Sequence, residues 1–252
     1  MPLRHRCGLK LSPQPPSLRF GAYFSAAMLP QVPQAFGHYD NIPPKSWNMY
    51  DNDRLADCTI AGAFHATMLW NSVAGKFVKF TALDAVDDYR DACGYVPGNP
   101  STDNGGDMVA VASYWKTTGM RDWKAARHTI SAYLQIDATN LEHIHAAAYL
   151  FGAVGLGVQL TSSSESQFES CQPWSIVAGD TPDDYHYVPL VGRDASYSKV
   201  VTWGALQDVE AAWLAANCKE AIAMISPEYL VDGKTLEGFD MAALQSDLAA
   251  IG

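Results

Sequence analysis

Ile60, Ala63, Phe64, Thr67, Met68 and Asn71 recur at steps of three and four residues, which predicts a helix over 58–70 with one buried stripe, opening on Cys58. Residues 83–93 predict a second, acidic helix, followed by a loop over 94–106 dense in Gly, Pro, Asn, Ser and Asp. Helical spacing returns over 108–118 and stops at Gly119, a residue suited to a left-handed cap. It returns again over 140–152, where Leu141, Ile144, Ala148 and Phe151 share a face. From there the period changes. Segments 154–160, 187–191, 199–203 and 221–225 are short apolar runs bounded by Gly, Asp and Ser, the pattern of strands. One more helix is predicted over 210–217 and a short amphipathic one over 241–250. Helices early and strands late are the ordering of an α+β fold with partly segregated lobes. The expected layout is a helical lobe over about 41–135, a β-rich lobe over about 136–226 and a helical extension over 227–252.

Composition narrows the functions open to such a domain. With 252 residues, 48% of them hydrophobic and 17% charged, the chain can bury one large core or two smaller ones. Its 17 basic and 27 acidic residues give a net charge of −10, the wrong sign for gripping a phosphate backbone, so nucleic acid is not an expected partner. The longest apolar run, 146–160, is shorter than the ~20 residues that span a bilayer and reads as core, so no membrane role is expected. The five cysteines are scattered without C-x-x-C pairs, which predicts mostly free thiols, no metal and no cofactor. Residues 1–40 stand apart. The first 39 contain no Asp or Glu, carry Arg4, Arg6, Lys10 and Arg19, and are rich in proline, which predicts an extended basic arm. They hold no uninterrupted apolar stretch of the secretory type, so a cytoplasmic or virion-associated protein is expected.

Acyl transfer by cysteine needs a thiolate, a base to supply it and donors where the oxyanion develops. Cys58 sits at a helix start, where unpaired N–H groups and the positive end of the dipole favour an anion. Asn52 lies six residues earlier in a loop that would aim its amide at the same carbonyl oxygen. His186 stands at the mouth of an apolar strand, at a lobe boundary. Taken singly, Cys58 reads as a small buried hydrophobe and His186 as a core histidine. Taken together they read as a Cys–His pair acting on a peptide or amide carbonyl.

This arrangement resembles the papain-like cysteine peptidases, and Asn52-Asp-Arg-Leu-Ala-Asp-Cys58 resembles uncharacterised bacterial and phage members. The family has a glutamine six residues before a cysteine that opens the central helix, and a histidine over a hundred residues later on a strand ending in Val-Gly. Asn52, Cys58 and His186 with Val191-Gly192 match these pieces. Asn104-Gly105-Gly106 looks like the Gly-Gly segment lining the substrate cleft, and Thr202-Trp203-Gly204 like the family's Ser-Trp-Gly. The match runs in order over about 42–226. It implies a two-lobed fold with Cys58 as nucleophile, His186 as base, Asn52 as oxyanion donor, and Gly105, Gly106 and Trp203 on the cleft.

Two positions depart from the pattern. Asn52 replaces glutamine, and Val201 stands where the histidine-orienting asparagine would be, with Thr202 expected on the opposite face of its strand. Val201 motivates a second reading, a papain fold kept as a binding or structural module, for example in a virion, with the arm docking on neighbouring subunits. A third use of the arm, as a short pro-segment over the cleft, is set against its brevity. Among the remaining residues, His65 is too far along the helix to be the base. His5, His38 and His128 carry no signal. Asp87, Asp88 and Asp91 read as a solvated face, and Trp115, Trp123 and Trp213 as core anchors.

Overall fold

The computed structural model describes residues 5–23, 29 and 31–229; the helix expected over 241–250 lies outside them. The arm contributes β1 (Leu9–Lys10), the single turn α1 (Phe20–Tyr23) and β2 (Phe36–Gly37). The helical lobe follows as α2 (Cys58–Val73), α3 (Ala82–Cys93), β3 (Gly106–Asp107), α4 (Met108–Thr117), β4 (Met120–Arg121) and β5 (Arg127–His128). The β-rich lobe is β6 (Ala132–Ile136), α5 (Leu141–Phe151), β7 (Val154–Thr161), α6 (Ser164–Glu169), β8 (Pro182–Arg193), β9 (Ser198–Thr202), β10 (Ala205–Val209), α7 (Ala211–Asn217) and β11 (Cys218–Ile225).

Helix α2 is buried on every side from Cys58 to Asn71, so it is a central helix and the single stripe expected of it is corrected. Helix α3 starts on a capping box, in which Thr81 accepts from the Asp84 N–H and the Asp84 carboxylate accepts from the Thr81 N–H. It ends at Gly94, whose φ of 76° is the left-handed cap a side chain resists. The acidic face of α3 is only partly solvated: Asp88 is fully buried and takes hydrogen bonds from Tyr114 Oη, the Arg121 N–H and Arg127 Nη1 at 2.7–2.8 Å. Trp115 and Trp213 are core residues, whereas Trp123 is 52% exposed, with Lys79 and Lys124 over its ring.

Strands pair antiparallel in the order β10-β9-β8-β7-β11-β6, with β2 added to β8. Alternation along β6 buries Ala132, Leu134 and Ile136 against α5, which carries Ile144, Ala147, Ala148 and Phe151. The lobes meet where α2 lies on β8. There the Tyr187 ring fills the space over Gly62 of α2 and Gly155 of β7, and a Cβ at Gly62 would collide with it. Two glycines thus set how closely the helix bearing Cys58 approaches the strand bearing His186. The arm packs on the same body: Phe20 is fully buried in the β-lobe core, and Leu18 accepts from the Gln135 N–H at 2.8 Å.

Candidate active site

Cys58 and His186 are both fully buried and line one small cavity with Met49, Asn52, His65, Thr202 and Trp203. Cys58 enters from the N-terminus of α2 and His186 from β8, paired across β7 with Val158. His186 Nε2 lies 2.8 Å from Thr202 Oγ1, and its Nδ1 is buried with no hydrogen-bond partner among the described residues. With the Nε2 proton donated to Thr202, Nδ1 is the nitrogen left to act as a base. The Trp203 ring stacks on the imidazole at 4.9 Å between centroids.

Thr202 therefore corrects the expectation placed on Val201. Leu190 pairs with Val200, so counting in twos puts His186, Leu190, Val200 and Thr202 on one face of the β8–β9 pair and Val201 on the other. The next two residues, Trp203 and Gly204, have φ of 44° and 75° and form the tight turn into β10. This turn holds the Thr202 hydroxyl and the Trp203 ring against the same imidazole.

Asn52 is buried beside Cys58, its Nδ2 donating to the Leu55 carbonyl at 3.1 Å. Along Gly105 and Gly106, the segment expected to line the cleft, lies the protein's own arm. β1 pairs parallel with β3, Leu9 opposite Gly106 and Lys10 opposite Asp107, and the Gly106 N–H donates to Gly8 O at 2.9 Å. A side chain on Gly105, whose φ is 76°, would collide with the Gly8 carbonyl, and one on Gly8 with the Ala56 carbonyl. The Arg6 N–H donates to Asn52 O at 3.0 Å, and Arg6 Nη2 to Asp103 at 2.9 Å. His5 stacks on Trp203 with centroids 4.7 Å apart and donates to Glu165 Oε1 through Nδ1 at 3.0 Å.

The covered site is electrically quiet. Burial pushes the Cys58 thiol up to about 12, and the N–H groups of Tyr187 and Gly8 pull it only part of the way back. Burial, with a smaller contribution from His5, lowers His186 to about 3. The helix N-terminus alone was expected to favour a thiolate. Under the arm, desolvation outweighs it, and the pair rests as thiol and neutral imidazole. His65, which shares the cavity, has Nε2 at 2.9 Å from Asn48 O and is lowered to about 4 by burial.

Sequence reasoning missed His5, Leu9 and the orienting role of Thr202. A hydroxyl beside the Trp-Gly turn was a signal for Thr202; an extended arm carries no period from which its path can be read.

No protein-family model matches the chain, and no curated protein matches it in sequence. Solved structures do match in fold. Xylellain, a cysteine protease from Xylella fastidiosa, superposes with a TM-score of 0.65 at 12% identity, over 90% of this chain and 98% of that one. A procathepsin B from Trypanosoma congolense matches with a TM-score of 0.60 at 12% identity, over 88% and 86%. The Carica candamarcensis cysteine protease CMS1MS2 matches with a TM-score of 0.56 at 12% identity, over 77% and 99%. The antiparallel sheet, the buried helix opened by Cys58 and these superpositions agree: the chain has the papain-like cysteine protease fold.

Proposed function

We propose that the protein is a cysteine-dependent peptidase or amide hydrolase whose cleft is occupied by its own N-terminal arm. One observation carries this reading: a thiol at a helix N-terminus shares a cavity with a histidine that is fixed through Nε2 by Thr202 and whose Nδ1 has no partner among the described residues. Once the arm leaves, water reaches the pair and both desolvation penalties fall. Nδ1 then takes the Cys58 proton, and the thiolate attacks the substrate carbonyl. The Cys58 N–H and Asn52 donate to the oxyanion. The imidazolium returns its proton to the leaving amine, and water hydrolyses the thioester with His186 again as base.

Gly8 supplies the test within the intact chain, because a methyl group there has no room against Ala56. In the parent protein Cys58 is expected to resist iodoacetamide at pH 7. In Gly8→Ala, alkylation followed by mass spectrometry should be at least about tenfold faster, remain fast well below pH 8, and lose that advantage in Gly8→Ala/His186→Ala. Peptide cleavage should appear in Gly8→Ala and vanish in Gly8→Ala/Cys58→Ser. A Cys58 that reacts only near ~pH 8.5 and ignores His186 would overturn the proposal and favour a retired fold used for binding.

A further inference from the structure

Burial alternates along the segment that joins α2 to α3. Val78 and Phe80 turn toward the core, and Phe77 and Lys79 turn toward solvent. The Trp123 N–H donates to the Lys79 carbonyl at 3.1 Å, which fixes the β4–β5 turn beside this segment. Lys79 Nζ and Lys124 Nζ then lie 6.0 and 5.1 Å from the centre of the Trp123 ring. Phe77 is 84% exposed, Leu83 at the start of α3 68% and Trp123 52%. Among the described residues these are three of the four most exposed large hydrophobic side chains, so the uncovered apolar surface gathers at this edge of the helical lobe.

Charge is sorted at the same edge. The acids of these segments point inward: Asp84 closes the capping box of α3, and Asp122 Oδ1 accepts from the Lys124 and Ala126 N–H groups at 2.9 and 2.8 Å. Both are buried. Asp87 is held by Arg90 and Arg121, and Glu228 by His128. Lys76, Lys79 and Lys124 are exposed, and none of them forms an ion pair among the described residues. A chain of net charge −10 therefore presents three free ammonium groups around two exposed rings. Protein interfaces favour arginine and are depleted in lysine, and their aromatic anchors fill pockets. Aromatic rings that stand clear of the surface among lysines have the composition of a surface that meets anionic headgroups.

We propose that this edge of the helical lobe docks on an anionic lipid bilayer, with Phe77 and Trp123 entering the headgroup layer and Lys76, Lys79 and Lys124 meeting the lipid charges. The contact is peripheral and needs no spanning helix, of which there is none among the described residues. Cys58 takes no part in it. The full chain should bind sucrose-loaded vesicles of phosphatidylcholine with about a third phosphatidylserine at least about tenfold more tightly than phosphatidylcholine alone, as read by sedimentation. That preference should fade as salt is raised toward ~1 M, and Lys76→Gln/Lys79→Gln/Lys124→Gln should remove it. Phe77→Ser should weaken binding about tenfold and keep the salt dependence, because a free ring is lost and no charge is changed. Ile176→Ser, at a residue 60% exposed in the β-rich lobe, should change nothing. A parent that does not sediment with the vesicles would overturn the proposal, as would sedimentation that the lysine and Phe77 variants leave unchanged or that Ile176→Ser weakens equally. Self-association of the parent in sedimentation velocity that Phe77→Ser abolishes, without vesicle binding, would assign the surface to a second copy of the chain and overturn it too.

Discussion

His128, at the edge of the helical lobe, is buried in the opposite way to His145 and His186 of the β-rich lobe and to His65 of α2. In the helical lobe, His128 Nδ1 lies 2.7 Å from Glu228 Oε1 and Nε2 is 3.6 Å from Asp122. Burial pulls its pKa down, but the bonds and charges of Glu228 and Asp122 outweigh that and hold it above its ordinary value. In the β-rich lobe, His145 and His186 hydrogen-bond to hydroxyls, Ser198 Oγ at 2.9 Å and Thr202 Oγ1 at 2.8 Å. Burial dominates there and lowers them to about 4 and about 3. A hydroxyl orients an imidazole without paying it a charge, so it keeps the ring neutral and able to accept a proton. An acid would orient His186 as well, but would hold the proton on the ring before any substrate arrived. The Asp122 and Glu228 charges hold a proton on His128, and the hydroxyl partners of the β-rich lobe leave its histidines neutral.

If that contrast is right, the lobes should fail differently. The largest effect is expected from Asp88→Ala, which strips partners from Tyr114, the Arg121 N–H and Arg127 together. The loss should be about 4 kcal/mol by urea unfolding, because a buried charge network is being broken. Leu156→Ala, in the middle of β7 and fully buried, should cost about 3 kcal/mol through its cavity. That loss should be the same at pH 6 and pH 8, whereas a helical-lobe loss that is equally indifferent to pH would break the comparison.

The smallest effects carry opposite signs. His128 has a raised folded pKa, so its stabilisation is complete below ~pH 6.5 and is lost as pH rises through the raised value. His145 has a lowered one, so stability is lost as pH falls from ~6.5 toward about 4, when the unfolded chain takes up the proton first. Thermal melts should show His128→Gln flattening the alkaline side and His145→Gln the acid side, each by on the order of 1 kcal/mol per pH unit. Thr202→Val, read in Gly8→Ala, should lower kcat by about tenfold to a hundredfold with little change in KM, since it frees the ring to turn without touching substrate.

Much of this was legible in the residues themselves. Helices α2, α4 and α5 announced themselves by apolar spacing, and Cys58 by opening the first of them. What a single strand cannot disclose is its register. The side on which Thr202 falls is set by the pairing of Leu190 with Val200, a fact about two strands. Strands β6 and β10 were passed over because five residues of mixed polarity resemble a loop until a neighbour pairs with them. Trp123 was misplaced because a large ring is apolar on its face whether or not the chain buries it, and here two lysines cover it instead. An arm over the cleft was set aside for its brevity, and its path is not legible for a plainer reason: Gly8 and Leu9 are placed by a cleft that exists only once both lobes have folded.

Cover and cleft belong to one covalent chain. A segment joined in this way is present at an effective concentration of roughly millimolar, and dilution leaves it unchanged. Micromolar peptide would compete poorly against it, however well its side chains suit the site. A single cut between Ser12 and Phe20 would turn the same contacts into an encounter between two molecules, in which peptide and arm compete by affinity alone. On the function proposed above, the peptide bonds joining the arm to the body, more than any one hydrogen bond along it, would set how readily a substrate reaches Cys58.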